Sequence, residues 1–185
     1  MMLKRIINRI YRFYAKMSGS EAKIKYFRKQ GMKIGDNCRF EIMSFSTEPY
    51  LVEIGNRVGI AIGTLFITHD AGIGCFRDEF PAQDVFGKIT VGDNVFIGSN
   101  CTILPNTTIG NNCIVGAGSV VRGKFPDNSV IAGNPAEVIT NMSVQRLIYR
   151  QSPNRLNTGH MTDDEKKPIV IQHFKKIKQD NDNKL

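Results

Sequence analysis

Aliphatic residues recur at every sixth position through the middle of the chain. The run from Val91 to Val121 divides into VGDNVF, IGSNCT, ILPNTT, IGNNCI and VGAGSV, and each six opens on Val or Ile. A fixed period of six fits neither an isolated helix nor a flat strand, and it is typical of a β-helix built from hexapeptides. Three sixes would close one triangular coil and raise the chain by one strand spacing, about 4.8 Å. The pattern therefore predicts an all-β core of stacked coils.

The same period extends toward the N-terminus, and its interruptions predict where the chain leaves the coil. Sixes begin at Ile34 and Ile54, and the segment FITHD follows at residues 66–70. The interval from Ile34 to Ile54 is two residues longer than one coil, which predicts a bulge at Met43–Tyr50. The stretch Ala71–Lys88 contains several Gly and Pro residues, so we expect a protruding loop. A loop of this length in a compact domain is usually functional.

These patterns divide the chain into three regions. We expect a basic amphipathic helical segment at residues 1–30, the coil at residues 31–139 with its protruding loop at 71–88, and a helical extension with a polar tail at 140–185. In the extension, the spacing of Thr162 and Glu165, TDDE, predicts a capping box. A proline shortly afterwards, at position 168, is expected to limit that helix.

The N-terminal segment has a single apolar stripe at helical spacing. Its members are Leu3, Ile6, Ile7, Ile10, Tyr14 and Met17. Two interpretations are open: the stripe covers the exposed strand edge at the end of the coil, or residues 1–17 rest on an anionic membrane surface. We favour the first. Ser20, after the break at Gly19, is expected to N-cap a second helix that ends near Gln30.

Charge and cysteine usage narrow the classes of function. The net charge of +8 resides in residues 1–30, which hold nine Lys or Arg and one Glu, so the remainder is balanced and a nucleic-acid-binding face is not expected. No apolar run approaches the roughly 20 residues of a membrane span, and no signal-peptide core is present, which predicts a cytoplasmic protein. Cys38, Cys101 and Cys113 fall at the small inward position of their sixes, so we expect core residues and no metal site.

The fourth position of each six locates one candidate for chemistry. Asn or Gly occupies seven of the ten such positions, which predicts a corner with left-handed backbone. His69 occupies one of them, beside the loop, and is the only histidine of the coil. Its side chain should project outward, where a neutral imidazole can accept a proton at physiological pH. The alternative is a histidine merely tolerated at a corner, and a zinc site of several histidines is not expected.

A second candidate site follows from the eighteen-residue return. Ser99 and Ala117 should stack in adjacent coils, each before a corner, with Gly116 and Gly118 beside them. Small side chains would leave backbone N–H groups open to an extended ligand, although small residues also simply make a corner tight. At the same end of the stack, Arg122 and Lys124 could meet phosphates.

Several of these segments resemble a known family. The stretches VGDNVFIGSNCTILPNTTIG, VGAGSVV and IAGNPAEVI, with FITHD upstream, closely resemble the left-handed β-helix O-acetyltransferases of the maltose, galactoside and xenobiotic acetyltransferase type. EPYLVEIG and the loop motif CFR look like acetyltransferases of surface-polysaccharide gene clusters. The resemblance implies a left-handed parallel β-helix and a homotrimer with active sites between subunits. It also implies that acetyl-CoA lies along the coil edge.

The resemblance also assigns roles to particular residues. His69 matches the catalytic histidine, while Ser99 and Ala117 match positions that contact the CoA arm. Phe96 stands where many relatives have a Trp near the acceptor, and Glu137 replaces the base usual after AGNPA, which leaves Arg122 or Lys124 for the phosphates. Asp70, as a sequence neighbour of His69, could orient the imidazole or simply point away. Asp70 and Arg77, which lies in the loop, are also candidates on the acceptor side.

Together these features predict an acetyl-CoA-dependent O-acetyltransferase. We expect His69 to act as general base on a hydroxyl of a sugar or surface glycan, with direct attack on the thioester. Two alternatives stay open: an N-acyltransferase acting on an amino sugar or drug, and a non-catalytic β-helix scaffold. A peripheral position at the inner membrane face would follow if the N-terminal segment binds lipid.

Overall fold

The computed structural model describes residues 2–182, with the side chains of all of these except 2–8, 11, 180 and 181. The described chain forms two compact units, Met1–Gln145 and Arg146–Leu185. The first unit contains the six-residue repeat and is rich in short strands, whereas the second is helical.

The described elements alternate short strands with tight corners, between helices at either end. Four α-helices are α1 (Met2–Met17), α2 (Ser20–Lys29), α3 (Met142–Gln151) and α4 (Asp163–Asp182). The strands are β1 (Lys33–Ile34), β2 (Arg39–Phe40), β3 (Val52–Ile54), β4 (Gly59–Ile60), β5 (Leu65–Phe66), β6 (His69–Asp70), β7 (Val85–Phe86), β8 (Ile89–Val91), β9 (Phe96–Ile97), β10 (Thr102–Ile103), β11 (Thr108–Ile109), β12 (Ile114–Val115), β13 (Val120–Val121), β14 (Lys124–Phe125), β15 (Ser129–Gly133) and β16 (Ala136–Asn141). Two 3₁₀ helices span Pro49–Leu51 and Ala71–Phe76.

Successive strands of the repeat visit three parallel sheets in turn. Sheet A has the order β1-β3-β8-β11-β14, sheet B runs β2-β4-β9-β12-β15, and sheet C consists of β5-β10-β13. The paired residues Phe96 and Ile114, or Thr102 and Val120, are eighteen positions apart. This register confirms the eighteen-residue return, so the chain coils with one short strand in each sheet per turn. Strand β16 closes one edge by pairing antiparallel with β15.

The first residue of each six forms the core. Ile97, Ile103, Val115 and Val121 are completely buried between the three sheets. Two of the three cysteines predicted as core residues, Cys101 and Cys113, are also buried, whereas Cys38 is half-buried. Burial raises the pKa of all three thiols, because a thiolate would lose hydration there. All three thiols therefore remain neutral at physiological pH.

The corners adopt the left-handed backbone that their Asn and Gly residues predict. Positive φ angles occur at fourth positions of the sixes: Asn37, Arg57, Gly63, Asn94, Asn100, Asn106, Asn112 and Gly118. His69 and Lys124 are exceptions, and for them the corner prediction is wrong. The reason at His69 is that the chain leaves the stack there as strand β6, which pairs with β7 of the loop. At the other exception, Gly123 takes the left-handed conformation instead, with φ of 107°.

Side chains also link successive corners between sheets A and B. Asn56 donates its backbone N–H to Asp93, whose own N–H donates to the Asn111 side chain. Asp127 ends this ladder by accepting two hydrogen bonds, at 2.8 and 3.1 Å, from the backbone and side-chain amides of Asn111. These amides hold the pKa of Asp93 and of Asp127 below the ordinary value. These hydrogen bonds connect each corner to the next, in addition to the backbone hydrogen bonds between the strands.

The end of the coil is covered by α2, and this corrects the favoured role of the apolar stripe. Helix α2 provides hydrogen-bond donors to carbonyl groups of the exposed strand edge. Lys23 donates to the Phe40 carbonyl, and Arg28 donates to the Ile34 carbonyl. Ser20 does not cap the helix as predicted; its hydroxyl accepts the backbone N–H of Phe40 at 2.7 Å.

Helix α1 packs on α2 rather than over the coil edge. Ile10, Tyr14 and Met17, members of the predicted stripe, are exposed. The other members of the predicted stripe, residues 3, 6 and 7, lie outside the described side chains. The described part of the stripe therefore faces away from the coil.

The second unit contains the predicted capping box but a longer helix than expected. The Thr162 N–H donates to Glu165 at 2.7 Å, and the Glu165 N–H returns to the Thr162 hydroxyl at 3.4 Å. Pro168 was expected to limit the helix, but α4 continues through it to Asp182. Pro168 is the sixth residue of α4 and cannot donate to the Asp164 carbonyl, so the helix continues with one backbone hydrogen bond missing. Residues 183–185 of the predicted polar tail lie outside the described residues.

Candidate active site

His69 lies where the chain leaves the corner between sheets C and A. Two residues separate it from the end of strand β5, and it pairs with Phe86 in the two-stranded antiparallel ribbon β6–β7. The ribbon makes the loop of residues 71–88 fold back over this corner instead of extending away from it. The imidazole is 39% exposed, so one side contacts protein and the other remains accessible.

A glutamate that sequence reasoning did not single out holds the imidazole. The Glu48 Oε2 atom lies 3.0 Å from His69 Nδ1, and it also accepts the Thr68 hydroxyl at 2.7 Å. The other carboxylate oxygen accepts the Thr47 hydroxyl at 2.5 Å. The Glu48 side chain is only 15% exposed. It is therefore a shielded carboxylate whose acceptor sites are filled by protein donors.

The protonation state of Glu48 determines the tautomer of His69. Burial alone raises the pKa of Glu48, but hydrogen bonds from Thr47, Thr68 and His69 outweigh it and lower the pKa from 4.5 to about 2. An ionised carboxylate can only accept hydrogen bonds, so in the neutral imidazole Nδ1 carries the proton. The lone pair is then on Nε2, for which the described residues provide no hydrogen-bond partner. That arrangement suits a general base.

Packing of the predicted bulge brings Glu48 to the histidine. Phe45 is completely buried, with its ring centroid 4.7 Å from those of Phe27 and Phe66, which fixes the start of the bulge. Ser46 then turns the chain with a φ of 62°, and a 3₁₀ helix begins at Pro49. Glu48 is held between these two fixed points. The only sequence signals for it were the two extra residues of this coil and the motif EPYLVEIG.

Two cavities share the imidazole. The larger has a volume of about 450 Å³ and is lined by Ile67, His69, Asp70, Ala71, Val85, Leu104, Pro105, Asn106 and Arg122. The smaller, of about 220 Å³, is lined by Thr47, Glu48, His69, Asp70, Ala71, Arg77, Asp84, Val85 and Phe86. The larger is within the range of small-molecule sites. His69 could therefore act between two reactants that enter from different sides.

Asp70 and Arg77, both predicted near the acceptor, line the smaller cavity but are engaged in local structure. Asp70 accepts the Gly72 N–H at 2.9 Å and so caps the 3₁₀ helix; it is Glu48 that contacts the imidazole. Arg77 donates to the Gln83 carbonyl at 2.5 Å and lies 3.0 Å from the Asp84 carboxylate. Arg77 thus closes the loop on itself and shapes the cavity wall.

The predicted cofactor residues lie at a different corner from His69. Ser99 and Ala117 occupy the corner between sheets B and C, one coil apart, and the Gly118 N–H donates to the Ser99 carbonyl at 2.8 Å. Gly98 makes the close stacking possible, because a Cβ there would lie 2.6 Å from the Ala117 nitrogen. Among the described residues, the Ala117 N–H has no hydrogen-bond partner. Exposed Ile62 belongs to the same corner, one coil below.

The remaining predicted residues are divided between the two corners and the sheet faces. Arg122 belongs to the corner of His69, two coils away, and lines the larger cavity. Lys124 lies on the outer side of sheet A. Phe96 lies on the outer face of sheet B, over Gly59, and lines neither cavity at the imidazole. Within one chain, Phe96, Ser99 and His69 are therefore not close together.

No group of acidic, Cys or His side chains in the described residues could hold a metal ion.

The structure is a coil of hexapeptides that presents a histidine–carboxylate pair beside a ligand-sized cavity, and its repeat is similar to that of bacterial transferases. Residues 88–123 match the family model described as bacterial transferase hexapeptide (six repeats). Protein CapG of Staphylococcus aureus is 42% identical over 159 residues, which cover 84% of this chain and 90% of CapG. Galactoside O-acetyltransferase of Escherichia coli (strain K12) is 33% identical over 60% of this chain and 54% of its own length.

Solved structures show the same fold. The hexapeptide-repeat-containing acetyltransferase VCA0836 from Vibrio cholerae superposes with a TM-score of 0.60 at 20% identity, over 75% of this chain and 90% of its own. Its complex with acetyl coenzyme A gives a TM-score of 0.52, at 18% identity over 73% of this chain and 85% of its own. The chain belongs to the hexapeptide-repeat acetyltransferase family. It is an acyltransferase, as its motifs predicted.

Proposed function

We propose that the protein transfers an acetyl group from acetyl-CoA to a hydroxyl of a sugar, in particular of a surface glycan. The observation that carries this proposal is the Glu48–His69 contact, which directs an Nε2 lone pair away from the carboxylate beside a cavity of about 450 Å³. The Escherichia coli relative is a galactoside O-acetyltransferase, and the Vibrio cholerae acetyltransferase has been solved with acetyl coenzyme A. These names support both a sugar acceptor and the donor.

The chemistry needs one base and no covalent enzyme intermediate. His69 Nε2 accepts the proton of the acceptor hydroxyl while that oxygen attacks the thioester carbonyl. The carbon–sulfur bond then breaks, and the imidazolium returns its proton to the departing thiolate. Glu48, ionised because its pKa is about 2, stabilises the imidazolium that forms between these two steps. A backbone N–H or the Ser99 hydroxyl is proposed to stabilise the developing oxyanion.

The donor is assigned to the larger cavity and to the Ser99–Ala117 corner. The Ala117 N–H is proposed to bind the pantetheine arm, and Gly116 and Gly118 are proposed to lie beside that arm. Arg122 and Lys124 are proposed to bind the CoA phosphates. The acceptor is assigned to the smaller cavity, with Asp70 and Arg77 on its walls and Phe96 contributed from another copy of the chain.

A homotrimer is part of the proposal, because the two parts of the proposed site lie on different corners of a single chain. The Ser99–Ala117 corner and the His69 corner flank sheet C on opposite sides, since strand β5 runs from one corner to the other. A neighbouring copy could bring its own Ser99–Ala117 corner to His69. We propose three such sites per trimer, in a coil that is left-handed, and the likeness to the Vibrio acetyltransferase supports this fold.

The regions of the chain are assigned accordingly. Residues 31–139, with the loop at 71–88, are proposed as the acyltransferase domain. Residues 1–30 form a basic helical segment and residues 140–185 a helical extension. No described helix has both the length and the apolar character that crossing a bilayer requires. We propose a cytoplasmic location on the ground that the proposed donor, acetyl-CoA, is available there.

Substitution of the base tests the function. His69→Ala should lower the rate of acetyl-CoA-dependent thiol release about 10²–10⁴-fold with a sugar acceptor, because general-base catalysis is lost. CoA affinity by calorimetry and the oligomer mass should be unchanged. His173→Ala, in α4, is the matched control and should retain full activity. Activity of His69→Ala equal to that of the control would refute the proposal. A panel of hydroxy and amino sugars separates O-acetylation from N-acetylation.

A further inference from the structure

In the described part of helix α1, the side that contacts the protein is the less apolar one. Ala15 is completely buried in the core cluster that includes Tyr26 and Phe27. Arg12 lines a cavity with the same two aromatic residues. By contrast, the large apolar residues on the other side of the helix are exposed, with Ile10 at 65%, Phe13 at 67% and Met17 at 72%. This is the reverse of a helix that packs on a globular core.

The exposed residues form one continuous strip. At 3.6 residues per turn, Ile10, Phe13 and Met17 lie three, four and seven positions apart and share a face. Arg9 and Lys16, also seven apart and both exposed, run along one border of that face. Residues 1–20 contain no Asp or Glu, so nothing in this segment neutralises the bases. The strip therefore combines an apolar face with an uncompensated positive border.

Neither the end of the coil nor a second copy of α1 fits this strip. The end of the coil does not occupy it, because Lys23 and Arg28 of α2 already satisfy the strand-edge carbonyls. A second copy of α1 would provide an apolar face but no negative charge for the basic border, because residues 1–20 contain no Asp or Glu. What the strip requires is an apolar interior bordered by negative charge. The surface of a bilayer that contains anionic lipids provides both.

We propose that α1 lies in the plane of an anionic membrane surface, with Ile10, Phe13 and Met17 at the boundary between headgroups and acyl chains. Arg9 and Lys16 contact lipid phosphates along the border of the strip. The helix does not cross the bilayer, in keeping with the finding for the described helices. Membrane binding of this kind depends on the helix alone and not on the proposed transfer reaction, so the two proposals can fail independently.

Flotation of the full-length protein with liposomes tests the proposal. Vesicles of phosphatidylcholine alone are compared with vesicles that also contain phosphatidylglycerol, at low and at high salt. The wild type should float with the anionic vesicles at low salt and lose most of this binding on neutral vesicles. The triple variant Ile10→Ser, Phe13→Ser, Met17→Ser should bind at least tenfold more weakly, because burial of the apolar strip supplies much of the affinity.

The basic border is tested separately. Arg9→Gln with Lys16→Gln should weaken binding to anionic vesicles about 25-fold, since each base near such a surface contributes about a fivefold gain in affinity. High salt should reduce wild-type binding by screening the same charges. The matched control replaces three residues of α4 that are also exposed, Ile169, Ile171 and Phe174, by Ser, and it should bind as the wild type does.

The outcomes distinguish the possible occupants. Equal flotation with neutral and anionic vesicles, or equal loss in the α4 control, overturns the proposal. So does a wild type that never floats while the α1 triple variant lowers the oligomer mass, because a second copy of the chain would then cover the strip. Circular dichroism and thermal unfolding establish that each variant is folded. An unfolded triple variant leaves the Arg9→Gln, Lys16→Gln variant, at two exposed positions, to decide.

Discussion

Replacement of Glu48 by Gln would test how much the carboxylate contributes to catalysis. Gln keeps an acceptor for the His69 Nδ1 proton and nearly the same shape, but it removes the negative charge. In the proposed mechanism the imidazole becomes positively charged as the hydroxyl loses its proton. The carboxylate oxygen lies 3.0 Å from Nδ1, so the charge should matter more in the transition state than in the ground state.

The magnitude follows from Coulomb's law and from the exposure of the pair. Two unit charges 3.0 Å apart interact by about 1.4 kcal/mol in water and by about 5.5 kcal/mol at an effective dielectric constant of 20. Because the imidazole is 39% exposed, we expect the lower part of this range, about 1.5–3 kcal/mol. This corresponds to roughly a 10- to 150-fold loss in kcat. Glu48→Ala should lose more, since the orienting hydrogen bond is also removed.

Steady-state kinetics with acetyl-CoA and a sugar acceptor is the assay. The KM for acetyl-CoA should change little in Glu48→Gln, because the change acts on the imidazolium. Glu53→Gln is the matched control: Glu53 is also a shielded carboxylate with a lowered pKa, but it bridges Lys33 and Lys88 on sheet A. Equal kcat values for Glu48→Gln and Glu53→Gln would refute the electrostatic role of Glu48, and so would a loss confined to KM.

The dependence of the Tm on pH in acid gives an independent check on Glu48. The pKa of Glu48 is lowered from 4.5 to about 2 in the folded protein, so its contacts stabilise the fold above pH 4.5. That contribution is lost as the pH falls from 4.5 toward 2, where the carboxyl becomes protonated in both states. The difference in Tm between wild type and Glu48→Gln should shrink over this interval; a constant difference would contradict the assigned hydrogen bonds.

Two further predictions concern the coil that carries the site. Asp127→Asn should lower the Tm at neutral pH and make the Tm fall less steeply as the pH is lowered. Two amides of Asn111 hold the pKa of Asp127 low, so the stabilisation by Asp127 disappears as this carboxylate becomes protonated. A variant whose Tm falls as steeply in acid as that of the wild type would contradict this. Gly98→Ala should destabilise the fold by about 1–3 kcal/mol, because its Cβ would meet backbone of the next corner at 2.6 Å. Gly74→Ala, with no atom within 4 Å of the added Cβ, is its control, and equal denaturant midpoints would refute the reasoning.

Much of the fold could be predicted from the sequence because the coil depends on local patterns. Each six places an aliphatic residue inward and an Asn or Gly at a corner, and both choices act within a few residues of chain. Arg57 shows that the register determines the corner even where the residue is unusual, since it too adopts a φ of 53°. His69 shows the limit of the same rule, because pairing with Phe86 of the loop replaced the corner conformation.

The sequence by itself determined the coil, the buried cysteines and the position of His69 beside a loop. Only the tertiary structure decided which carboxylate holds the imidazole, because Glu48 is brought there by Phe45 packing in a core built from distant segments. It also decided that α1 turns its apolar face outward, since the choice of buried side depends on what α2 already covers. Local periodicity specifies which residues share a face. The packing of other elements determines what that face contacts.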